Sequence, residues 1–365
     1  MNEVKKQWKI GVLIGATLLF VTVLGGWFFT KENNMFKENV LEKNQNSTVD
    51  QKDAKKNSDD LLEKSHFQGT ALLVSGDQIL YQKSYGYANV KEKLPNKVKG
   101  TFPIASLQKI ITGSIILELV EEDKLTLNTT LDTFYPEVDF GKSITIQDLL
   151  DHKSGILMDE KEPSELLSDQ KSQINYVLDT LSVVGNKEFN YTNSNYSLLA
   201  GIISKIMGSP YQEVVKERVI DKLSLHDTYF WDDIPKNEIL PKPYYYMEKD
   251  YVEDPSPTTE KLLSSLLGAG NMYMSTEDFL VFIRSLANGQ LFKQDEYERL
   301  TGAKQEGYRA GIIYFDDLKY SEGSLGGYDT VIYGDQDNKN LVILFANQPA
   351  KNGMRTLSEA LYDQL

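Results

Sequence analysis

Ser106-Leu107-Gln108-Lys109 places a serine three residues ahead of a lysine, at the head of the apolar run that begins Ile110-Ile111. On a helix, side chains at i and i+3 are neighbours, so the hydroxyl and the amine share one face. A neutral lysine there takes the serine proton and makes an acyl-transfer nucleophile without any histidine. Lysine is charged at its ordinary pKa of ~10.4, so the site must favour the neutral amine by burial or a nearby charge. The same spacing recurs at Ser168-Asp169-Gln170-Lys171, within an acidic, polar stretch (159–172) that has little apolar context to bury a lysine. Ser106 is therefore the candidate nucleophile and Lys109 its base.

The elements that must position this pair are legible in outline. Two β-rich runs, 69–75 and 78–85, flank Gly76-Asp77 and signal a hairpin. Residues 110–122 carry apolar positions at helical spacing, up to the break at Asp123-Lys124. From about 145 to 289 the pattern is mostly helical, with 196–207 the clearest buried helix. Residues 310–315, 328–333 and 340–346 read as strands, and 358–365 as a closing helix. Strands at both chain ends around a helical middle imply an α+β fold. One antiparallel sheet is built from the two ends and flanked by helices, with a mostly helical lobe between.

Composition sets limits on partners and chemistry. The chain has 365 residues, a formal net charge of -14 and no cysteine. That charge argues against nucleic acid as a partner. Without cysteine there are no disulfides and no thiolate metal sites, and His66, His152 and His226 stand far apart without ligand spacing. Neither a metal nor a cofactor is expected. Residues 10–29 run without a charge, long enough as a helix to span a bilayer core of ~30 Å. Lys5, Lys6 and Lys9 precede the run, which puts residues 1–9 on the cytoplasmic side and the rest outside. A cleaved signal peptide is the alternative, but the run is long and no Ala-x-Ala site follows it. Residues 30–65 are polar and charged, a composition that reads as a solvated tether with room for a short helix around Leu61-Leu62. A domain of 66–365 on the outer face of the cell membrane is the expectation.

Further motifs follow in order. Tyr191-Thr192-Asn193 lies downstream, ahead of the buried helix. Asp148-Leu-Leu-Asp-His-Lys-Ser-Gly155 precedes it, and Gly268-Ala-Gly-Asn-Met-Tyr-Met-Ser-Thr-Glu-Asp278 follows. Together with Ser106-x-x-Lys109 they resemble the serine β-lactamase and penicillin-binding-protein superfamily, in its class C-like branch, over about residues 66–347. Tyr87-Ala88-Asn89 also reads Tyr-x-Asn, but it falls where that branch has an early strand turn. The resemblance implies the β-lactamase/transpeptidase-like fold. It also implies that Ser106 is the nucleophile, Lys109 the base, Tyr191 a proton shuttle, and Asn193 the group that orients Lys109 and the substrate.

The third motif departs from that family. Where the resemblance implies Lys-[Ser/Thr]-Gly or His-x-Gly on the strand facing the serine, this chain reads Lys319-Tyr-Ser-Glu-Gly-Ser-Leu-Gly-Gly-Tyr328. Aligning Gly323 to the motif's glycine puts Ser321 at the cation's position and Glu322 beside it; aligning Gly326 puts Ser324 there instead. Lys319 is the nearest cation on this segment. A missing charge-assisted hydrogen bond to a substrate carboxylate costs about 1.5–3 kcal/mol. The pattern is similar to membrane-anchored teichoic acid D-alanine esterases of Gram-positive bacteria, whose ester substrate has no free carboxylate and carries an ammonium. Glu322 or Asp329 is the expected receiver of that ammonium. D-alanylated teichoic acid is thus the expected substrate. A D,D-carboxypeptidase or weak β-lactamase acting on peptidoglycan stems or β-lactams is the enzymatic alternative, and an inactive wall-binding protein the non-enzymatic one. Tyr244-Tyr245-Tyr246 reads as packing rather than as a sugar-stacking wall.

Overall fold

The computed structural model describes residues 51–76, 78–253 and 258–365, with the side chains of 51–54 left out. The expected cytoplasmic tail, membrane span and the first part of the tether lie outside the described residues. Among the described residues no helix is long and apolar enough to cross a membrane.

Seven antiparallel strands form the main sheet. From the N-terminal end come β1 (Gln68–Ser75) and β2 (Gln78–Tyr85). The C-terminal end supplies β3 (Gly307–Arg309), β4 (Ile312–Phe315), β5 (Leu318–Leu325), β6 (Tyr328–Asp335) and β7 (Leu341–Gln348). Their spatial order is β3-β4-β5-β6-β7-β1-β2, so the two chain ends meet where β7 pairs with β1. Every residue of β7 is buried, because both faces of the sheet are covered. Side chains alternate between the faces. Ile332, Leu341, Ile343 and Phe345 enter the large core under the helical lobe. Val331, Tyr333, Val342 and Leu344 enter a second core beneath terminal helices.

One of those terminal helices corrects the sequence reading. Residues Gln51–Lys64 form α1, so the short helix expected around Leu61-Leu62 is present and longer, and packed structure begins before His66. Leu62 is fully buried in the second core. The Asp59 carboxylate accepts hydrogen bonds from Tyr81, from Tyr85 at 2.5 Å and from Lys83 at 2.7 Å, all on β2. A mostly polar segment needs only one apolar stripe when a finished sheet is there to receive it. The closing helix α4 (Met354–Tyr362) starts four residues earlier than its pattern suggested and seals the same core through Met354, Leu357 and Leu361.

The lobe holds two helices that carry the site. Between them, α2 (Gln108–Glu121) is buried from Gln108 through Leu119. Its twelve consecutive buried positions leave no exposed face, as expected of a helix packed on all sides. Helix α3 (Asn193–Met207) ends on Gly208 in the left-handed region and packs against α2.

Candidate active site

Ser106 sits in the single 3-10 turn Ala105–Leu107, immediately before α2. Ala105 has φ 44°, left-handed backbone that a residue with a Cβ seldom adopts, so the nucleophile is presented from a strained corner. Lys109 lies in the first turn of α2 and is fully buried. Its Nζ lies 3.0 Å from Ser106 Oγ, 2.7 Å from Asn193 Oδ1 and 2.8 Å from the Ala269 carbonyl. Burial brings the lysine amine down to about 7, with the Glu160 carboxylate pulling the other way. A neutral amine has two N–H groups and one lone pair. Asn193 and Ala269 take the two N–H groups, and the lone pair is left facing Ser106 Oγ.

Tyr191 approaches the same oxygen, its hydroxyl donating to Ser106 Oγ at 2.6 Å. Burial holds the phenol well above its usual range, so it stays protonated. Its ring also lies against the lysine, with Nζ 5.0 Å from the ring centroid. Ser106, Lys109, Tyr191 and Asn193, separated by up to 87 positions in sequence, are thus brought into one hydrogen-bonded cluster. Ser168 and Lys171 are exposed, and the intervening Asp169 caps a different helix. Tyr87-Ala88-Asn89 is a short strand whose Asn89 carboxamide accepts from its own loop.

Residues that spacing did not mark support this cluster. Gln108 Oε1 accepts from the N–H groups of Asn271 and Met272, and Gln108 Nε2 donates to Asn271 Oδ1 at 3.0 Å. That clamp fixes the 268–274 segment whose Ala269 carbonyl meets Lys109. His152 lies beneath Tyr191, ring centroids 4.4 Å apart, and burial keeps its imidazole neutral. Its Nδ1 faces the Thr192 N–H at 3.3 Å and Asn195 Nδ2 at 3.0 Å, while its carbonyl accepts from Asn190 N–H. Glu160 accepts from Asn193 N–H at 2.8 Å, Asn193 Nδ2 at 2.7 Å and Thr192 Oγ1 at 3.2 Å. It caps the start of α3, where Thr192 itself makes no side-chain cap. Glu160 stands 33 positions from Asn193 in an unremarkable acidic stretch, and no local pattern announces it.

The third-motif strand closes the site on its other side. Strand β4 pairs with β5 only as far as Tyr320, so residues 321–325 present an open backbone edge next to the nucleophile turn. Gly323 is the point of closest approach. A Cβ there would lie 2.3 Å from the Ile104 carbonyl oxygen and 2.8 Å from Ser106 N. Thr330, its partner across the ladder, donates to the Ile104 carbonyl at 3.0 Å and locks the turn to the sheet. Gly323 is therefore the strand residue set against the nucleophile turn.

Three expectations for this strand need correction. Ser321 is buried and donates to the Gly311 carbonyl at 2.7 Å, turned to the neighbouring hairpin rather than to a substrate. Lys319 does not reach in. Its Nζ is buried against Asn338 and the Gln336 carbonyl, in a small cavity lined also by Leu286, Tyr297 and Tyr314. Glu322 lies on the opposite face from Gly323, because strand residues alternate. Its ladder partner is Val331 of the second core, and Tyr320 donates to its carboxylate. Asp329, one ladder step away, shares that face with its partner Ala346 and is pushed up to about 9 by burial and by Glu322. Neither carboxylate is on the side of Ser106. Tyr244 is buried in packing and Tyr246 stacks on His66, as read from the sequence.

Comparison with known proteins agrees with this fold. The family described as Beta-lactamase matches residues 54–364. The "Putative penicillin-binding protein PbpX" of Bacillus subtilis is 27% identical over 384 residues, covering 100% of this chain and 96% of its own. The "Teichoic acid D-alanine hydrolase" of Staphylococcus aureus is 29% identical over 328 residues, covering 87% of this chain and 80% of its own. The crystal structure of FmtA from Staphylococcus aureus superposes with a TM-score of 0.76 at 25% identity, over 88% of this chain and 90% of that one. D-amino acid amidase from Ochrobactrum anthropi shares the fold, with a TM-score of 0.70 at 19% identity over 86% and 98%. A fold with its sheet built from both chain ends, and a match spanning nearly all the described residues, lead to one conclusion: the chain belongs to the beta-lactamase family and is a serine hydrolase of that kind.

Proposed function

We propose that this enzyme removes D-alanyl esters from teichoic acid outside the cell, through an acyl-enzyme on Ser106. The carrying observation is an intact nucleophile cluster beside a third-motif strand whose Ser321 is committed to the Gly311 carbonyl and whose Lys319 is buried against Asn338, so that strand turns no cation toward a substrate carboxylate. In the first step Ser106 Oγ bonds to the ester carbonyl carbon and its proton passes to neutral Lys109. The Ser106 N–H, beside the open edge of β5, is placed to stabilise the oxyanion. The carbon–oxygen bond to the polymer then breaks. Tyr191 protonates the departing alcohol and regains a proton from Lys109. Water enters next, and Lys109 takes its proton as the hydroxyl attacks the acyl carbon. D-alanine leaves, and Ser106 recovers its proton. No step consumes anything but ester and water.

The relative that bears the name teichoic acid D-alanine hydrolase supports this substrate class. The charge-free run at 10–29 supports placing the enzyme on the outer face of the membrane, held by an uncleaved span. The test is D-alanine release from D-alanylated lipoteichoic acid and from a peptide ending in D-Ala-D-Ala, with Ser106→Ala as blank. Release from the polymer alone is the expected result. Release from the peptide alone overturns the reading in favour of a carboxypeptidase, and no acyl transfer to Ser106 at all leaves an inactive wall-binding protein.

A further inference from the structure

A D-alanyl ester differs from most acyl substrates in carrying a positive charge one carbon from the reacting carbonyl. On the reading above, something in the site should recognise it, and Glu322 and Asp329 lie on the wrong face of β5 and β6. Among the acidic groups of the described residues, Glu160 is the one tied directly to the nucleophile cluster. The Glu160 carboxylate is exposed, yet it is joined to the buried base by a short relay. Glu160 Oε2 accepts from Asn193 Nδ2 at 2.7 Å, and Asn193 Oδ1 accepts from Lys109 Nζ at 2.7 Å. Its field reaches both Lys109 and Tyr191. The adjacent Lys161 is engaged with Asp159, and no cation among the described residues is paired with Glu160. Three hydrogen bonds from Thr192 and Asn193 hold it at the start of α3, and none of those donors carries a charge.

We propose that Glu160 is the specificity residue for the substrate ammonium, and that its capping of Asn193 lets the bound cation act on the base. With the site empty, the carboxylate favours the charged form of Lys109, which cannot accept a proton. A bound ammonium cancels that field and frees the amine to act. The cationic substrate both binds through Glu160 and helps switch on the base that cleaves it. A substrate with a neutral acyl group does neither.

The inference rests on the ester-hydrolase reading, and its test separates the two. The full chain is assayed on a D-alanyl ester of glycerol and on the N-acetyl-D-alanyl ester of the same alcohol, which keeps the ester and removes the charge. The readout is the ratio of kcat/KM for the two. In the wild type the ratio favours the free amine. In Glu160→Gln it falls about tenfold, the scale of one partly screened charge pair. Glutamine keeps one acceptor oxygen, for the Asn193 N–H and Thr192 Oγ1, and loses the one that meets Asn193 Nδ2; that loss falls on both esters alike, and a ratio is indifferent to the fraction of protein that folds. Glu160→Asp restores the preference at least in part. A ratio unchanged by Glu160→Gln overturns the proposal and leaves Glu160 a cap of α3 only. A wild type that hydrolyses neither ester overturns the ester reading and the proposal with it.

Discussion

Gly323 and Ser106 approach so closely that a single methyl group on the glycine would stand 2.8 Å from the serine amide nitrogen and 2.3 Å from the preceding carbonyl oxygen of Ile104. Both contacts are to backbone, which cannot swing aside as a side chain would. Gly323→Ala should therefore push the nucleophile turn off the open edge of β5. The expected loss in acylation rate is on the order of a hundredfold, the scale of a removed oxyanion donor. Overpacking should cost a further ~1–3 kcal/mol in stability. Stopped-flow acylation alongside a thermal melt measures both; a variant that melts lower but acylates at the wild-type rate would contradict the placement of the oxyanion site.

The acid limb of activity should report Lys109. Its amine lies near 7 because burial disfavours the charged form, and it works as a base only when neutral. Activity should therefore be low well below pH 7 and rise through an apparent pKa near 7 as the proton leaves. Raised by burial, the Tyr191 phenol stays protonated across that range and adds no second limb there. Lys109→Arg, always charged, should lose ~10²–10⁴-fold in kcat/KM at pH 8 with Ser106 still present. A wild-type profile flat from pH 5 to 8 would remove Lys109 from the role of base.

Substrates with a free carboxylate should react slowly. With Ser321 committed to Gly311 and Lys319 buried elsewhere, the motif strand supplies no charged partner for that group. The deficit of about 1.5–3 kcal/mol corresponds to one to two powers of ten. Labelling of Ser106 by a fluorescent penicillin, timed against acylation by a D-alanyl ester, gives the comparison. Penicillin reacting as fast as the ester would mean that another group holds the carboxylate.

Helix α1 should behave as part of the catalytic domain. Leu62 is fully buried and Asp59 holds three donors on β2. Leu62→Ala should cost about 2–5 kcal/mol, and a protein begun at His66 should melt markedly lower than one begun before Gln51. Equal melting temperatures for the two would show that the helix contributes nothing to the fold.

How much of this was readable in the chain depends on the range over which each feature is determined. The pairing of Ser106 with Lys109, the helix after it, the apolar run 341–346 of β7 and the split of the sheet between the chain ends follow from local pattern. Adjacent residues impose that on each other wherever they fold. The polar composition of 30–65 misjudged α1, because its stability comes from a sheet the segment does not contain. Ser321 and Gly323 were located by motif order, but which side of β5 meets the nucleophile depends on strand register, and so Glu322 was assigned to the wrong face. Asn193 was marked by its motif, but the Gln108 clamp, the left-handed Ala105 and the Glu160 end of the relay had no local signal at all. Each joins segments tens to more than a hundred positions apart, or answers a strain that arises only once those segments meet. The residues of the chemistry were written into the sequence; which proton each holds, and which charge each feels, was decided by burial in the folded lobe.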